Sequence, residues 1–433
     1  MSEWPSVPFG QIAKKLVNGG TPSTEAPRYW SGQIPWVTGA DFTPAGIGEF
    51  RRFVSDEAIR ETATNVIEEG QLLLVTRTGV GKLAIAPCDI AISQDVTGVY
   101  VDEDQADTGF LFHRMRQGVE DLKKLNQGTS INGIIRSDLV SYPVKLPPLP
   151  QQRRIAEILS TLNEAIEQTE TLIAKMQQVK AGLMHDLFTR GVTPDGRLRP
   201  AREQVPELYK ESPLGWIPKE WDIVTIEECA AKDRGSTTIG PFGSNLVSSD
   251  YRSDGVPVVF VRDVKEDAFE WNSNVFVSPQ KAQQLGVHAV RPGDLVSTKM
   301  GLPPCITCAY PDWMDEGIIT ADIIRLRPDN SKVYTGWLSA ALNCDAFKRQ
   351  VQAITAGVTR PKVTLSEFRK LRLPCPRIQE QESVATRFEA LAEVLSAEVA
   401  KLTKLQTTKH GLMHDLLTGR VRVVEGAVHW LES

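Results

Sequence analysis

Thr78-Gly79-Val80-Gly81-Lys82-Leu83 carries part of the spacing of a phosphate-cradling loop, in which glycine amides wrap a phosphate and a lysine reaches its outer oxygens. The pattern stops short. The first glycine is missing at the required distance, and Leu83 stands where a Ser or Thr hydroxyl would meet Mg²⁺, so nucleotide binding there is not expected. Cys305-Ile306-Thr307-Cys308 is a single CxxC with neither a second pair nor a nearby histidine, short of the four ligands of a structural zinc. Asp263-Val264-Lys265 has the shape of a nuclease fragment, but no acidic partner with suitable spacing precedes it. Two further patterns do not occur: the Asp/Asn-Pro-Pro-Tyr/Phe motif with which amino-methyltransferases hold a target amine, and a glycine-rich S-adenosylmethionine loop after a strand. His185 and His414 sit in matching helical contexts and read as capping or subunit-contact residues. The expectation is a non-catalytic chain with no metal and no cofactor of its own.

The sequence offers instead loops suited to nucleic acid. Reading bases and phosphates takes exposed Arg, Lys, Asn, Gln, Ser or Thr on rigid loops, with glycines that let backbone amides approach. In the N-terminal part these are Gly20-Thr21-Pro22-Ser23, Arg77 to Lys82, and Gly128-Thr129-Ser130-Ile131-Asn132. In the C-terminal part they are Phe242-Gly243-Ser244-Asn245, Arg262, Lys299-Met300-Gly301, and Gly357-Val358-Thr359-Arg360-Pro361-Lys362. The candidate DNA-contacting residues are Thr21, Ser23, Arg77, Thr78, Lys82, Ser130, Asn132, Ser244, Asn245, Arg262, Lys299, Arg360 and Lys362. Taken singly, each also fits an ordinary solvated loop; the set carries the reading. Bulk charge lends no help. The net charge is −5, with 14 basic against 18 acidic residues in 1–150 and 19 against 19 in 216–376. Any DNA surface must be a local patch offset by acids elsewhere.

The elements that position these loops are repeated. Gly182-Leu183-Met184-His185-Asp186-Leu187 recurs, identical at every position, as Gly411-Leu412-Met413-His414-Asp415-Leu416. Ahead of the first copy runs a seam of Ile155, Leu159, Leu162, Ile166, Thr169, Ile173, Met176, Lys180, Leu183 and Leu187, in alternating steps of four and three. The offset from Gly182 to Gly411 carries this seam onto Val384, Phe388, Leu391, Leu395, Glu398, Leu402, Leu405, Lys409, Leu412 and Leu416, with the polar interruptions in matching places. A 3.5-residue repeat defines one narrow apolar stripe per helix, which needs a partner stripe. Two such helices of about 36 residues pack most simply on each other as rods of about 55 Å. Proline-rich stretches, Leu146-Pro147-Pro148-Leu149-Pro150 and Leu373-Pro374-Cys375-Pro376, mark where each begins.

Ahead of each helix lies an α+β head with a twisted sheet, read from short strands such as Gln71–Arg77 and Asp294–Lys299, from glycine turns, and from helices near Asp107–Gln127 and Tyr334–Ala353. The divisions expected are a first head over 1–147, a long helix over 148–192, a linker over 193–215, a second head over 216–373, a second long helix over 374–419, and a tail over 420–433. No run of 18 apolar residues suggests a membrane span, Met1 to Gly10 does not read as a secretory signal, and six scattered cysteines fit a reducing cytoplasm.

This layout resembles the specificity subunit of type I restriction–modification systems. The likeness lies in Gly20-Thr21-Pro22-Ser23 followed by Tyr29-Trp30 and Ile34-Pro35-Trp36-Val37, and in Gln151-Gln152-Arg153-Arg154-Ile155-Ala156-Glu157-Ile158-Leu159 after its prolines. It continues in Gly182 to Leu187, Leu214-Gly215-Trp216-Ile217-Pro218-Lys219-Glu220-Trp221, Gly240-Pro241-Phe242-Gly243-Ser244-Asn245-Leu246, and Gly411 to Val423. The resemblance implies two target-recognition domains separated by two long antiparallel coiled-coil helices, related by a pseudo-twofold internal repeat. Each head would read half of a bipartite, asymmetric DNA target. The helices would serve as a spacer ruler and docking site for the modification subunits, two in number. Those subunits would be adenine-N6 methyltransferases carrying S-adenosylmethionine, joined by restriction motor subunits that use ATP and Mg²⁺. Two rival readings are a detached recognition region of a fused methyltransferase–nuclease and a pure coiled-coil scaffold.

Overall fold

The computed structural model describes residues 4–43, 46–125, 133–356 and 361–423. The chain divides into two units, Met1–Thr171 with Ala400–Ser433, and Leu172–Val399, so the division falls inside both long helices.

Those helices run Leu149–Thr189 and Ile378–Thr418, 41 residues each, and their first and last residues keep the same offset that relates Gly182 to Gly411. Pro150 lies in the first turn of the first helix, where the N–H it lacks has no intrahelical partner anyway. Every seam position of both helices is buried or half-buried, the polar ones included. Thr169 satisfies its hydroxyl on Ala165 O at 2.7 Å. In the first unit Ile155 and Leu159 share a core with Leu412, Met413, Leu416 and Leu417, while Glu170 meets Gln406, so the two segments run antiparallel. In the second unit Leu187 and Phe188 pack with Val384 and Ala385, and Lys180 lies over the Phe388 ring, which is again antiparallel.

The heads share a strand order, to which the second adds one edge strand, Tyr251–Arg252. In the first, a four-stranded sheet runs in the order Phe53–Val54, Ile34–Val37, Ile90–Ile92, Asn65–Ile67, with the central pair parallel. In the second the order is Tyr251–Arg252, Phe276–Val277, Val256–Val259, Gly317–Ile319, Ala289–Val290, again with a parallel central pair. A second sheet, all antiparallel, orders Ala13–Asn18, Val96–Val101, Leu72–Val75, Leu83–Ile85 in the first head and Thr237–Ile239, Ile323–Leu326, Leu295–Thr298, Thr307–Ala309 in the second. All four residues of Leu72–Val75 are buried because both faces are covered: Leu72 and Leu74 face the core shared with helix Thr108–Leu125, Leu73 and Val75 the core between the sheets.

Two expectations are corrected here. The helix expected over Tyr334–Ala353 is two helices, Thr335–Ala341 and Asp345–Ile354. The break lets buried Asn343 plug a strand edge, its Oδ1 accepting from Thr307 N at 3.1 Å and its Nδ2 donating to Thr307 O at 2.8 Å. Residues 193–215 are not a free linker. They open a hairpin, Tyr209–Ser212 with Gly215–Pro218, and Arg199, 5% exposed, is tied to Glu380 and Glu220. Glu380 also accepts from Val192 N and Trp221 Nε1, fastening this collar to the second long helix. Among the described residues no helix is long and apolar enough to cross a membrane.

Candidate nucleic-acid interface

Buried glutamines fix each head to its helix. Gln152 Oε1 accepts from Asp107 N at 2.9 Å, and its Nε2 donates to Pro147 O and Gln105 O. Gln381, its equivalent in the second repeat, accepts from Tyr334 N at 2.8 Å and donates to Pro376 O and Lys332 O. Neither residue stood out in the sequence as a fastener, although their identical position after the prolines was the available signal.

The candidate loops gather around a second repeated node, Asp95 and Asp322. In the first head, the amides of Thr76 and Arg77 donate to Asp95 O, and Thr78 N reaches Asp95 Oδ1 at 3.5 Å. Thr21 donates its hydroxyl to the adjacent Gln94. Thr21, Arg77 and Thr78 are thereby brought together, all exposed, with the exposed Ser23 close behind Thr21 in the chain. In the second head Lys299 N donates to Asp322 O at 2.7 Å, and Lys299 Nζ stands 4.8 Å above the exposed Phe242 ring. Ser244 and Asn245 lie in the single turn Gly243–Asn245 that follows Phe242. Lys362 is bridged through its backbone to Met300, and Arg262 lies with Gly243 and Asp322 on one cleft. Ser130, Asn132 and Arg360 lie outside the described residues.

The start of each loop is held by a glycine pressed on the parallel strand. A Cβ on Gly19 would lie 1.9 Å from Ile92 O, and one on Gly240 would lie 2.3 Å from Ile319 O, so only glycine admits this approach. That register pairs Thr21 with Phe242 and Ser23 with Ser244. The hydrogen bonds Ile134 N to Thr76 O and Val363 N to Lys299 O match Lys299 with Thr76, so Arg77 corresponds to Met300.

Lys82 leaves the DNA-facing set. Its Nζ donates to Gly39 O at 3.0 Å and Phe42 O at 2.9 Å, so the lysine of the phosphate-loop look-alike braces its own head. Asp263 is likewise structural. It is fully buried and accepts from Phe260 N, Asn272 N, Ser273 N and the Ser273 hydroxyl. Its counterpart Asp41 receives Thr38 N and the Arg51 guanidinium; burial pushes its carboxyl upward, but these donors outweigh it and hold the pKa below the usual range. Burial drives the Cys305 and Cys308 thiols up to about 12, the opposite of what a zinc ligand requires. No group of three metal-ligating side chains occurs among the described residues. His185 and His414 are exposed on their helices, and each uses its carbonyl to receive a threonine hydroxyl one turn on.

The chain is thus an internally duplicated α+β protein whose two heads present polar, glycine-hinged loops around a common aspartate node. Comparison with known proteins gives that class relatives. Residues 1–178 match the family model described as the type I restriction modification DNA specificity domain. The specificity subunit of the type I restriction enzyme MjaVIII from Methanocaldococcus jannaschii is 22% identical over 432 residues, covering 97% of this chain and 93% of the relative. The EcoBI specificity subunit of Escherichia coli is 22% identical over 371 residues, covering 84% and 69%. A crystal structure of the S subunit of a type I restriction–modification system from M. genitalium matches the fold with a TM-score of 0.62 at 15% identity, covering 95% of this chain and 96% of that one. The chain is thus similar to specificity subunits of type I restriction–modification systems, in its N-terminal domain by family model and along nearly its whole length by relatives and fold.

Proposed function

We propose that this chain is the sequence-reading subunit of a type I restriction–modification complex, that each head reads one half of a bipartite DNA target, and that it catalyses nothing itself. The observation that carries the reading is the duplication: two heads with one strand order, each attached through a buried glutamine to one of two 41-residue helices placed equivalently in the repeat. A duplex target offers two half-sites to a protein with two equivalent readers. The scaffold residues of the two heads match, while the loops around Asp95 and Asp322 differ, which suits an asymmetric target. The helices, each about 60 Å long by their rise per residue, act as the spacer in a pseudo-twofold, coiled-coil arrangement. Their exposed flanks, including His185 and His414, serve as docking surface for two adenine-N6 methyltransferase subunits. Those subunits bring S-adenosylmethionine, and restriction motor subunits bring ATP and Mg²⁺; the assembly works in the cytoplasm.

The test is a mobility shift of the chain, co-purified with its methyltransferase subunits, on a duplex taken from mapped N6-methyladenine sites and on a random duplex. Arg77→Ala is expected to weaken binding through one half-site and Lys299→Ala through the other. Each should lower the dependence on salt by about one phosphate contact if that contact is to backbone. Equal affinity for specific and random duplexes would overturn the proposal and favour a scaffold.

A further inference from the structure

We infer that Arg262 reads the edge of a guanine base in the half-site bound by the second head. The inference rests on the DNA-recognition reading above and separates a base contact from the phosphate contacts around it.

Arg262 is placed as a reader and committed to nothing else. Its guanidinium lies 4.5 Å from the centre of the Phe260 ring, which is itself packed edge-on against Tyr251 at 5.7 Å. Neighbouring arginines are engaged internally. Arg325 donates to Ala289 O and Gly235 O, Arg327 grips Asp294 with two bonds of 2.7 and 2.8 Å, and Arg369 donates to Thr237 O at 2.6 Å. Among the described residues the Arg262 side chain is exposed and makes no such bond. A guanidinium lying on a ring keeps its donors in its own plane, directed outward as a flat fork. That fork matches the O6 and N7 acceptors of guanine in the major groove.

The surroundings favour a base over a phosphate. Arg262 lines a cleft of about 530 Å³ together with Gly243, Thr320 and Asp322. A carboxylate at that position repels phosphate, whereas it accepts readily from a base amino group. The platform is rigid, because the turn Val261–Asp263 that carries Arg262 is pinned by the fully buried Asp263. The first head lacks the device. Ala40 stands at the position of Arg262, next to the Asp41 that matches Asp263, and Thr21 bonds to Gln94 where the second head has Phe242 and Ala321. The feature is thus specific to one head, as a residue choosing one base must be when two heads read different sequences.

The experiment uses the full-length chain with its methyltransferase subunits. Wild type, Arg262→Lys and Arg262→Ala each select binding sites from a pool of random duplexes. The wild-type site is then remade with 7-deazaguanine, which lacks N7, at each guanine in turn. One guanine is expected whose replacement weakens wild-type binding about 10- to 100-fold. Arg262→Lys should show a loss of similar size on the normal duplex, no further loss on the 7-deazaguanine duplex, and an unchanged salt slope, because the charge is kept and the fork is not. Wild-type binding indifferent to 7-deazaguanine at every guanine would mean a charge contact and overturn the inference. So would Arg262→Ala selecting the same guanines as wild type. Failure of the wild-type complex to select any sequence would instead sink the DNA-recognition reading, and this inference with it.

Discussion

Gln381→Leu replaces a buried, 1% exposed amide by an apolar group of similar size, so the cost comes from stranded partners and not from a cavity. The amide accepts from Tyr334 N at 2.8 Å and donates to Pro376 O at 2.8 Å, with a longer bond to Lys332 O at 3.3 Å. Leucine leaves the Tyr334 N–H and the Pro376 carbonyl without this partner. At about 1–3 kcal/mol for each unsatisfied buried group, the second unit should lose about 2–6 kcal/mol. A chain of two units need not unfold in one step, so a single melting curve is the wrong readout. Amide hydrogen exchange is the right one. Amides of Thr335–Ala341 and of the first turns of Ile378–Thr418 should exchange at least about 30-fold faster, at about 1.4 kcal/mol per tenfold. Protection in helix Thr108–Leu125 should be unchanged, and Gln152→Leu should give the reverse pattern. A loss below about 0.5 kcal/mol at Gln381, with the same fold, would refute the claim that these glutamines fasten head to helix.

Two further outcomes follow from buried charge. His113 is 1% exposed, and burial first, then the charges of Arg116 and Lys409, depress its pKa from 6.5 to about 4. The unfolded chain therefore binds more protons between those values. Stability of the first unit should be full above pH 6.5 and fall by about 3 kcal/mol as pH drops toward 4. His113→Leu should flatten that part of a plot of urea midpoint against pH. Lys180→Met removes the charged partner of Asp267, whose Oδ2 lies 3.1 Å from Lys180 Nζ, whose Oδ1 accepts from Asn343 Nδ2, and whose pKa is pushed up mainly by burial. The expected loss is about 3 kcal/mol, at the low end for a broken buried pair because the Lys180 side chain is 20% exposed. Adding Asp267→Asn should recover part of that loss in a double-mutant cycle; no recovery would mean the pair is not coupled.

The long helices were legible because their information is periodic and local. A seam in steps of four and three, broken by polar residues at matching places, specifies a stripe whatever it packs against, and the repeat extended to helix ends at Leu149 and Ile378, Thr189 and Thr418. The heads were legible as strands but not as a register. Lys299 and Arg77 share a sequence look, each a cation shortly before a glycine, yet the hydrogen bonds from Ile134 N to Thr76 O and from Val363 N to Lys299 O set them one position apart. Pairing of that kind is settled by partners distant in the chain, which a linear motif does not carry. Lys82 misled for the same reason: only the fold reveals the Gly39 and Phe42 carbonyls that take up its ammonium. The collar at 193–215 read as a linker because its anchors are single charged and aromatic contacts, Arg199 and Trp221 on Glu380, which leave no apolar period.

What the two heads share and where they part argues for a division of labour within each. Residues that hold backbone in place recur: Asp41 and Asp263 under the same turn, Asp95 and Asp322 at the loop node, Gln152 and Gln381 at the helix junction. Asp41, Asp263, Gln152 and Gln381 commit side-chain polar groups to fixed partners, so each tolerates little change without stranding a buried donor, whereas Asp95 and Asp322 hold their loops through backbone carbonyls. The positions between them differ in chemistry: Thr21 against Phe242, Ala40 against Arg262, Gln94 against Ala321. These sit on rigid turns, and most are exposed, so a change there alters what is presented without disturbing the frame. On the proposed reading, a fold arranged in this way acquires a new recognition sequence in one head through a few loop substitutions. The free energy of folding, held in the buried nodes and the seam, would hardly move.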